Sequence, residues 1–235
     1  MKYLVVSDIH SNLEAMQAVL KHARNVGYDQ MLCAGDIVGY NANPMEVIDI
    51  LIDEKAICIR GNHDREVARG VYPDGFNGPA AQAVLWTQAN LWTSYRSWLS
   101  LLPQGPSEFD GFRLVHGSPR DEDEYVHGPS KRWLPHPAGD SSPLIIFFGH
   151  THCPVAFNGS GLCQTTGAVQ LGREDWMINP GSVGQPRDGD PRTSFVIWDQ
   201  SRETAEFYRI PYNFQLTQKK ILAAGLPRSL ATRLG

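Results

Sequence analysis

Short apolar segments alternate with amphipathic ones through the first 60 residues of the chain. The apolar runs at Tyr3–Ser7, Gln30–Ala34 and Ala56–Arg60 have the length and composition of buried β-strands. Between them, Leu13–Val26 and Met45–Asp53 repeat apolar residues at helical spacing. This βαβαβ order predicts parallel strands whose crossover helices pack on the outside of a sheet.

The rest of the chain predicts one more helical region and then a β-rich half. A broad apolar stripe covers Gly78 to Leu102, and we assign its tryptophans to packing within the fold. A last helix is predicted over Leu216–Ala224, closed by Gly225. Strand-like runs separated by turns lie at Phe112–Val115, Leu144–Phe148, Val155–Phe157, Leu162–Thr165, Trp176–Ile178, Ser194–Trp198 and Ala205–Ile210. Together these patterns predict an α/β protein with two sheets and helices outside them.

Length and composition limit the organisation of the chain. With 235 residues it can bury one substantial core, and we expect residues 1–235 to form a single domain with a helical insertion at about 65–110. The hydrophobic content of 42% and charged content of 20% are those of an ordinary globular protein. No run approaches the roughly 18 consecutive apolar residues of a membrane span, so we expect a soluble protein without a membrane partner.

Charge and cysteine usage narrow the partners and the compartment. A net charge of −4 gives no general attraction to nucleic acid, so stable nucleic-acid binding is not expected. The four cysteines form no C-x-x-C pair, and Cys33 and Cys58 are interpreted as buried free thiols. The apolar run after Lys2 spans only about four residues, which is too short for a secretory signal. We therefore expect a cytoplasmic protein, and the sequence leaves its oligomeric state open.

Potential metal ligands follow directly after five of the apolar runs. These segments read LVVSDIH, MLCAGD, ICIRGNHD, RLVHGS and IIFFGHTH. Ligands in open α/β sheets bind outside the carboxyl ends of the strands, so side chains from distant segments can converge there. Asp8 and His10 stand two residues apart, as do His150 and His152. In an extended segment, residues i and i+2 point to the same side, so each pair can face a shared centre.

The chemistry of these side chains indicates a metal site. Carboxylate, imidazole and amide ligands without thiolate suit Mn, Fe, Co or Zn rather than Ca. Each motif alone also occurs in ordinary loops, but the five together favour a metal centre. Gly35, Gly61 and Gly149 lie beside the candidate ligands, where the missing Cβ lets the backbone turn sharply or approach closely.

The order of these motifs resembles that of the calcineurin-like metallophosphoesterase superfamily. The matching motifs are Asp8-Ile9-His10, Gly35-Asp36, Gly61-Asn62-His63-Asp64, His116-Gly117 and Gly149-His150-Thr151-His152. The segment from Asn179 to Arg187 is also similar to the compact prokaryotic phosphodiesterase branch of that superfamily. The resemblance implies a four-layer α-β-β-α sandwich of two mixed β-sheets flanked by helices.

The resemblance also implies roles for individual residues. It implies two divalent transition metal ions, one held by Asp8, His10, Asp36 and His152, the other by Asp36, Asn62, His116 and His150. Asp36 would bridge them. We expect Mn, with Fe, Zn, Co or Ni as alternatives. His63 has no metal in this scheme and is our candidate general acid, with Asp64 either orienting it or holding its loop.

The expected function is hydrolysis of a small phosphoester substrate, a phosphodiester attacked by a metal-bridging hydroxide while His63 protonates the leaving group. Three alternatives stay open: a phosphomonoesterase or protein phosphatase, a dinucleoside polyphosphate hydrolase, and a catalytically silent metal-bound scaffold. Gly35-Asp36 is followed by Ile37-Val38-Gly39-Tyr40, where many family members carry a further Asp, often followed by Arg. This difference favours a diester over a monoester.

Substrate recognition is the least specified part of the sequence. We expect the helical insertion and a loop at 118–142 to line the cleft. Arg120 and Arg187 lie in loops from which they could reach a phosphate, but surface salt bridges would explain either residue equally well.

Overall fold

Strands and helices alternate at first and strands then dominate, as the apolar pattern predicts. The computed structural model describes residues 1–129, 133 and 143–235. The strands are β1 (Lys2–Val6), β2 (Gln30–Cys33), β3 (Ile57–Cys58), β4 (Ser107–Phe109), β5 (Phe112–Leu114), β6 (Ile145–Phe147), β7 (Val155–Asn158), β8 (Cys163–Gln164), β9 (Gly167–Gln170), β10 (Trp176–Asn179), β11 (Thr193–Asp199) and β12 (Thr204–Ile210). The helices are α1 (Leu13–Val26), α2 (Pro44–Asp53), α3 (Asn62–Arg69), α4 (Gly78–Asn90), α5 (Thr93–Leu101), α6 (Phe214–Ala223) and α7 (Arg228–Thr232).

The strands form two mixed sheets of six strands each. The first has the order β3-β2-β1-β11-β12-β9, in which β1, β2 and β3 are parallel and the others antiparallel to their neighbours. The second has the order β4-β5-β6-β10-β7-β8, with β5, β6 and β10 parallel. Two mixed sheets with flanking helices confirm the expected sandwich.

Alternating side chains of the strands build separate cores on the two faces of the first sheet. In β1, Leu4 and Val6 belong to the core shared with α1 and α2, whereas Tyr3 and Val5 belong to the core between the sheets. That inner core also contains Trp198, whose ring stacks on Tyr3 with centroids 4.9 Å apart. The sheets therefore pack face to face and bring their strand ends to a common edge.

Helices α3, α4 and α5 all lie between β3 and β4 and form the helical region expected there. Helix α3 begins at Asn62, directly after Gly61, and therefore includes His63. The stripe predicted as one helix is divided at Leu91 and Trp92, whose extended backbone ends α4 and precedes α5. This break buries Leu91 and leaves Trp92 67% exposed, so the assignment of that tryptophan to internal packing is wrong. The division of the chain into one domain with an insertion stays a prediction.

The helices and the buried cysteines have two further features. None of the helices in the described parts of the chain has the length and apolar character that a membrane crossing requires. Cys33 and Cys58 are buried free thiols on the neighbouring strands β2 and β3, where they occupy paired positions.

Candidate metal centre

The predicted ligands converge at the carboxyl ends of parallel strands from both sheets. They follow β1, β2, β3, β5 and β6 and are Asp8, His10, Asp36, Asn62, His116, His150 and His152. Asn62 is half-buried, and each of the other six is at most 5% exposed. Burying this many ionisable side chains together costs free energy unless opposite charges compensate them. The buried carboxylates therefore require a compensating positive charge.

Backbone carbonyls fix the orientation of the first pair of imidazoles. Nδ1 of His10 lies 3.0 Å from the Val38 carbonyl oxygen, and Nδ1 of His152 lies 2.6 Å from the Gln185 carbonyl oxygen. Because a carbonyl oxygen only accepts, each Nδ1 carries the proton and each neutral ring presents a lone pair at Nε2.

These lone pairs face one another and two carboxylates. The Nε2 atoms of His10 and His152 are 3.1 Å apart. Asp36 Oδ2 lies 3.5 Å from the first and Asp8 Oδ1 lies 3.3 Å from the second. The ligand atoms of these four residues all lie within 4.8 Å of one another. The four lone-pair atoms repel one another unless a cation lies between them. This set of ligand atoms therefore fits a divalent metal ion.

The second set of ligand atoms shares Asp36 with the first. It consists of Asp36, Asn62, His116 and His150. His116 donates from Nδ1 to the Ala34 carbonyl oxygen at 2.8 Å, so its Nε2 faces Asn62 Oδ1 at 3.2 Å and Asp36 Oδ2 at 3.4 Å. His150 is held through Nε2, 3.1 Å from the Asp123 carbonyl oxygen, which leaves Nδ1 as its candidate ligand atom. This set also fits a divalent ion.

Burial and charge shift the pKa values within the cluster. Burial lowers the pKa of His10 and His152 well below the usual value and lowers that of His150 to about 3. Burial also acts to lower the pKa of His116, but the Asp36 and Asp8 carboxylates and the hydrogen bond to Ala34 together raise that pKa to about 10. The position between His116 and Asp36 therefore attracts positive charge strongly, as a metal-binding position must.

Strained backbone marks the ligand loops. Five ligands have the left-handed conformation that residues other than glycine rarely adopt, with φ of 52° at Asp8, 49° at His10, 53° at Asp36, 66° at His150 and 59° at His152. Such strain is typical of functional sites. The expectation that each Asp-x-His or His-x-His pair lies on an extended segment is wrong. The paired side chains converge because tight turns, and not strands, present them.

The glycines beside the ligands allow close contact between loops, as predicted. Gly35 has a φ of 93°, and a Cβ on it would lie 2.6 Å from the Gly61 backbone nitrogen. A Cβ on Gly61 would lie 2.2 Å from Asp36 Oδ1. Any other residue at Gly61 would therefore displace the shared carboxylate.

His63 lies beside the cluster but is not part of either ligand set. Its ring contacts His10, Tyr40 and Phe76, with centroids 4.5 to 4.9 Å apart. Burial lowers the pKa of His63 to about 4. The Asp64 carboxylate accepts hydrogen bonds from the backbone of Ile37, Val38 and Gly61 at 2.9 to 3.1 Å. Two roles were expected for Asp64. These hydrogen bonds match the role of holding the loop and not the role of orienting His63.

The segment after β10 supports the first ligand loop. Ser182 Oγ donates to the Asp8 carbonyl oxygen at 2.8 Å, and Gly184 N donates to the same oxygen at 2.9 Å. Asn179 Nδ2 donates to the Gly149 carbonyl oxygen at 2.8 Å. The Asn-Pro-Gly-Ser motif thus links the loops after β1 and β6.

A cleft of about 290 Å³ opens beside the cluster. The helical region contributes Phe76, and the loop at 118–142 contributes Tyr125, so both expected segments line it. Within that loop, residues 130–132 and 134–142 lie outside the described residues. Arg187 also lines the cleft, whereas Arg120 is exposed elsewhere. Sequence reasoning missed the aromatic lining of Tyr40, Phe76 and Tyr125, because no short motif marks it.

Two mixed sheets whose strand ends hold buried carboxylates and imidazoles define the class of metal-dependent phosphoric ester hydrolases. Residues 1–203 match the family model of the calcineurin-like phosphoesterase superfamily domain, and the chain belongs to that family. It is 37% identical to the uncharacterised protein MJ0912 of Methanocaldococcus jannaschii, over 98% of this chain and 96% of that protein.

Two further relatives extend the comparison. The chain is similar to a metallophosphoesterase from Sphaerobacter thermophilus, with 36% identity and a TM-score of 0.87 over 100% of this chain and 98% of the other. It is also 26% identical to the phosphodiesterase YfcE of Escherichia coli, over 81% of this chain and 84% of that protein. The predicted family and fold are therefore confirmed.

Proposed function

We propose that the protein is a dinuclear-metal phosphodiesterase. The two ligand sets described above would each hold one divalent transition metal ion, with Asp36 shared between them. The observation that carries this proposal is the pair of facing Nε2 lone pairs on His10 and His152, 3.1 Å apart, next to two buried carboxylates. Neutral imidazoles arranged in this way are suited to bind a metal ion, which supports the proposal.

Two bound ions would supply Lewis acidity and an activated water for in-line attack on phosphorus. The chain itself contributes the binding and proton-handling groups. Asp8 and Asp36 are the carboxylates of the two sets, so two divalent ions would leave the site net positive and attractive to phosphate. His63 lines the cleft beside this position and is the proposed proton donor to the leaving oxygen.

Preference for a diester is supported by the shape of the cleft. A diester carries a second organic substituent, and the rings of Tyr40, Phe76 and Tyr125 offer apolar surface to receive it. The name of the relative YfcE supports the same substrate class. The absence of an Arg after the Gly35-Asp36 motif no longer supports it, because Arg187 brings a guanidinium into the cleft from another segment.

The test compares kcat/KM for a bis(4-nitrophenyl) phosphate diester and for 4-nitrophenyl phosphate, at one pH and with Mn saturating. We expect the diester to be the better substrate. A tenfold advantage of the monoester, about 1.4 kcal/mol of transition-state preference, would overturn the assignment and favour a phosphomonoesterase. Hydrolysis of a dinucleoside polyphosphate with neither nitrophenyl ester cleaved would favour the dinucleotide alternative.

Several finer expectations belong to the same proposal. We propose Mn as the metal, a cytoplasmic location, and a single domain in which helices α3 to α5 form an insertion over the cleft. A catalytically silent scaffold is disfavoured, because every predicted ligand and His63 are present and adjacent.

A further inference from the structure

Two arginines line the cleft, and their surroundings differ. Arg65 forms ion pairs with Glu66, Glu122 and Asp123 at 2.9, 2.5 and 3.0 Å. Its guanidinium is therefore fully engaged within the protein. Arg187 has no carboxylate within 4.0 Å of its guanidinium among the residues that the structure describes. Within those residues, its charge therefore faces the cleft without a counterion.

The phenol of Tyr40 holds Arg187 in place of a carboxylate. Nη2 of Arg187 donates to the Tyr40 hydroxyl at 3.2 Å, and the guanidinium carbon lies 5.9 Å from the centre of the Tyr40 ring. The Tyr125 side chain lines the same cleft as Arg187. Nε of Arg187 is buried and has no hydrogen-bond partner in the described parts of the chain. A half-buried guanidinium with donors to spare is a binding group for a phosphate.

The cleft that Arg187 lines borders both ligand sets. The Tyr40 ring lies 4.4 Å from the ring of His10, in the first set, and the Tyr125 ring lies 4.0 Å from that of His150, in the second. Arg187 lies beside the first set, because its backbone N–H donates to the His152 carbonyl oxygen at 3.4 Å. A phosphate bound to both sets would therefore lie within the field of Arg187.

We propose that Arg187, held by Tyr40, binds a non-bridging oxygen of the scissile phosphoryl group and sets the preference for substrate charge. The proposal rests on the proposed phosphoesterase function. Tyr40 ends the segment where many family members carry an Asp followed by Arg. In this chain, the guanidinium reaches the cleft from the loop after β10.

Substrate charge separates this role from a structural one. A phosphomonoester dianion carries one more negative charge than a diester monoanion, so its transition state depends more on a nearby guanidinium. Loss of Arg187 should therefore reduce monoester hydrolysis more than diester hydrolysis. A residue that merely supported the fold would reduce both by the same factor.

The experiment uses the metal-loaded full chain with Arg187→Gln, Arg187→Lys and the matched control Arg192→Gln. Arg192 lies five residues further along the chain, and it is exposed and paired with Asp190. For Arg187→Gln we expect kcat/KM to fall about tenfold for the diester and about a hundredfold for the monoester, the size of lost charge-assisted hydrogen bonds. Calorimetry should show inorganic phosphate binding weakened by about tenfold or more, with metal content unchanged. Arg187→Lys should recover part of each loss, and Arg192→Gln should match the unchanged protein.

Two results would overturn the proposal. One is unchanged phosphate affinity in Arg187→Gln, and the other is an equal loss on both esters. Failure of the proposed phosphodiesterase function would give results that differ from these two. If the unchanged protein hydrolysed neither ester, phosphate calorimetry on the same variants would still decide whether Arg187 binds the anion. If the unchanged protein preferred the monoester, the ratio of losses would still test the role of Arg187.

Discussion

Replacement of His63 by Gln tests the proposed proton donor in two independent ways. The imidazole is 3% exposed, and its Nδ1 has no hydrogen-bond partner among the described residues. Burial lowers its pKa to about 4, so the free protein holds it neutral at pH 7. Protonating it there costs about three pKa units, or about 4 kcal/mol. An anionic phosphate beside the ring has to provide that energy for His63 to act as a general acid.

The first assay is turnover on diesters with good and poor leaving groups. A general acid contributes about 10² to 10⁴ in rate, and its contribution is largest when the leaving oxygen is strongly basic. We expect His63→Gln to lower kcat by about a hundredfold on an alkyl diester and only slightly on a nitrophenyl diester, with metal content nearly intact. Full turnover of the variant on the alkyl diester would refute the general-acid role.

The second assay is the pH dependence of unfolding in the metal-free protein. The pKa of His63 is about 4 in the folded state, against an ordinary value of 6.5. Between these pH values, the unfolded chain binds a proton that the folded chain does not, so stability falls as pH falls from 6.5 to 4. The shift of about 2.5 units corresponds to about 3 kcal/mol.

His63→Gln should remove this part of the acid sensitivity. The control is His127→Gln, which removes an exposed imidazole outside the cleft lining. Equal pH slopes of the free energy of unfolding in the His63 variant and the unchanged protein would show that burial does not hold this ring neutral.

Other substitutions test the cluster itself. Asp36→Asn should lower both metal content and turnover, because Asp36 is shared by both ligand sets; elemental analysis showing about two ions per chain in this variant would contradict the bridging role. Gly61→Ala should lower metal affinity, because its Cβ would lie 2.2 Å from Asp36 Oδ1, whereas Gly78→Ala on α4 meets no atom within 4 Å and should bind metal normally. Metal titration followed by calorimetry measures both, and equal affinities would show that the loop after β3 can move aside. Asp64→Ala should lower the melting temperature by several degrees, because it leaves the Ile37, Val38 and Gly61 N–H groups unsatisfied; an unchanged melting temperature would contradict the loop-holding role.

The fold could be predicted where local pattern and packing agree. Helix α1 has the predicted limits, because its apolar residues repeat at helical spacing and Asn12 caps its first turn through a side-chain bond to Ala15 N. The break between α4 and α5 could not be predicted in this way. The apolar stripe continues across Leu91 and Trp92. The break between the helices depends on which of these two side chains packs into the core.

The candidate ligands could be found because each motif directly follows a strand, and strand ends meet at one edge of a sheet. Their backbone conformation could not, since non-glycine residues give no sign of positive φ. The residues that line the cleft could not be predicted from the sequence either. Arg187 and Tyr40 are 147 residues apart in the sequence. Their contact depends on how the loop after β2 of the first sheet packs against the loop after β10 of the second.

The most direct test of the account is a metal titration of the chelator-treated protein, read by elemental analysis and by diester hydrolysis on the same samples. Seven ligands in two sets that share Asp36 predict about two divalent ions per chain, with activity returning as the second ion binds and disappearing again in strong chelator. A protein that retains no metal after Mn supplementation, and whose hydrolysis is unaffected by chelator, would contradict it.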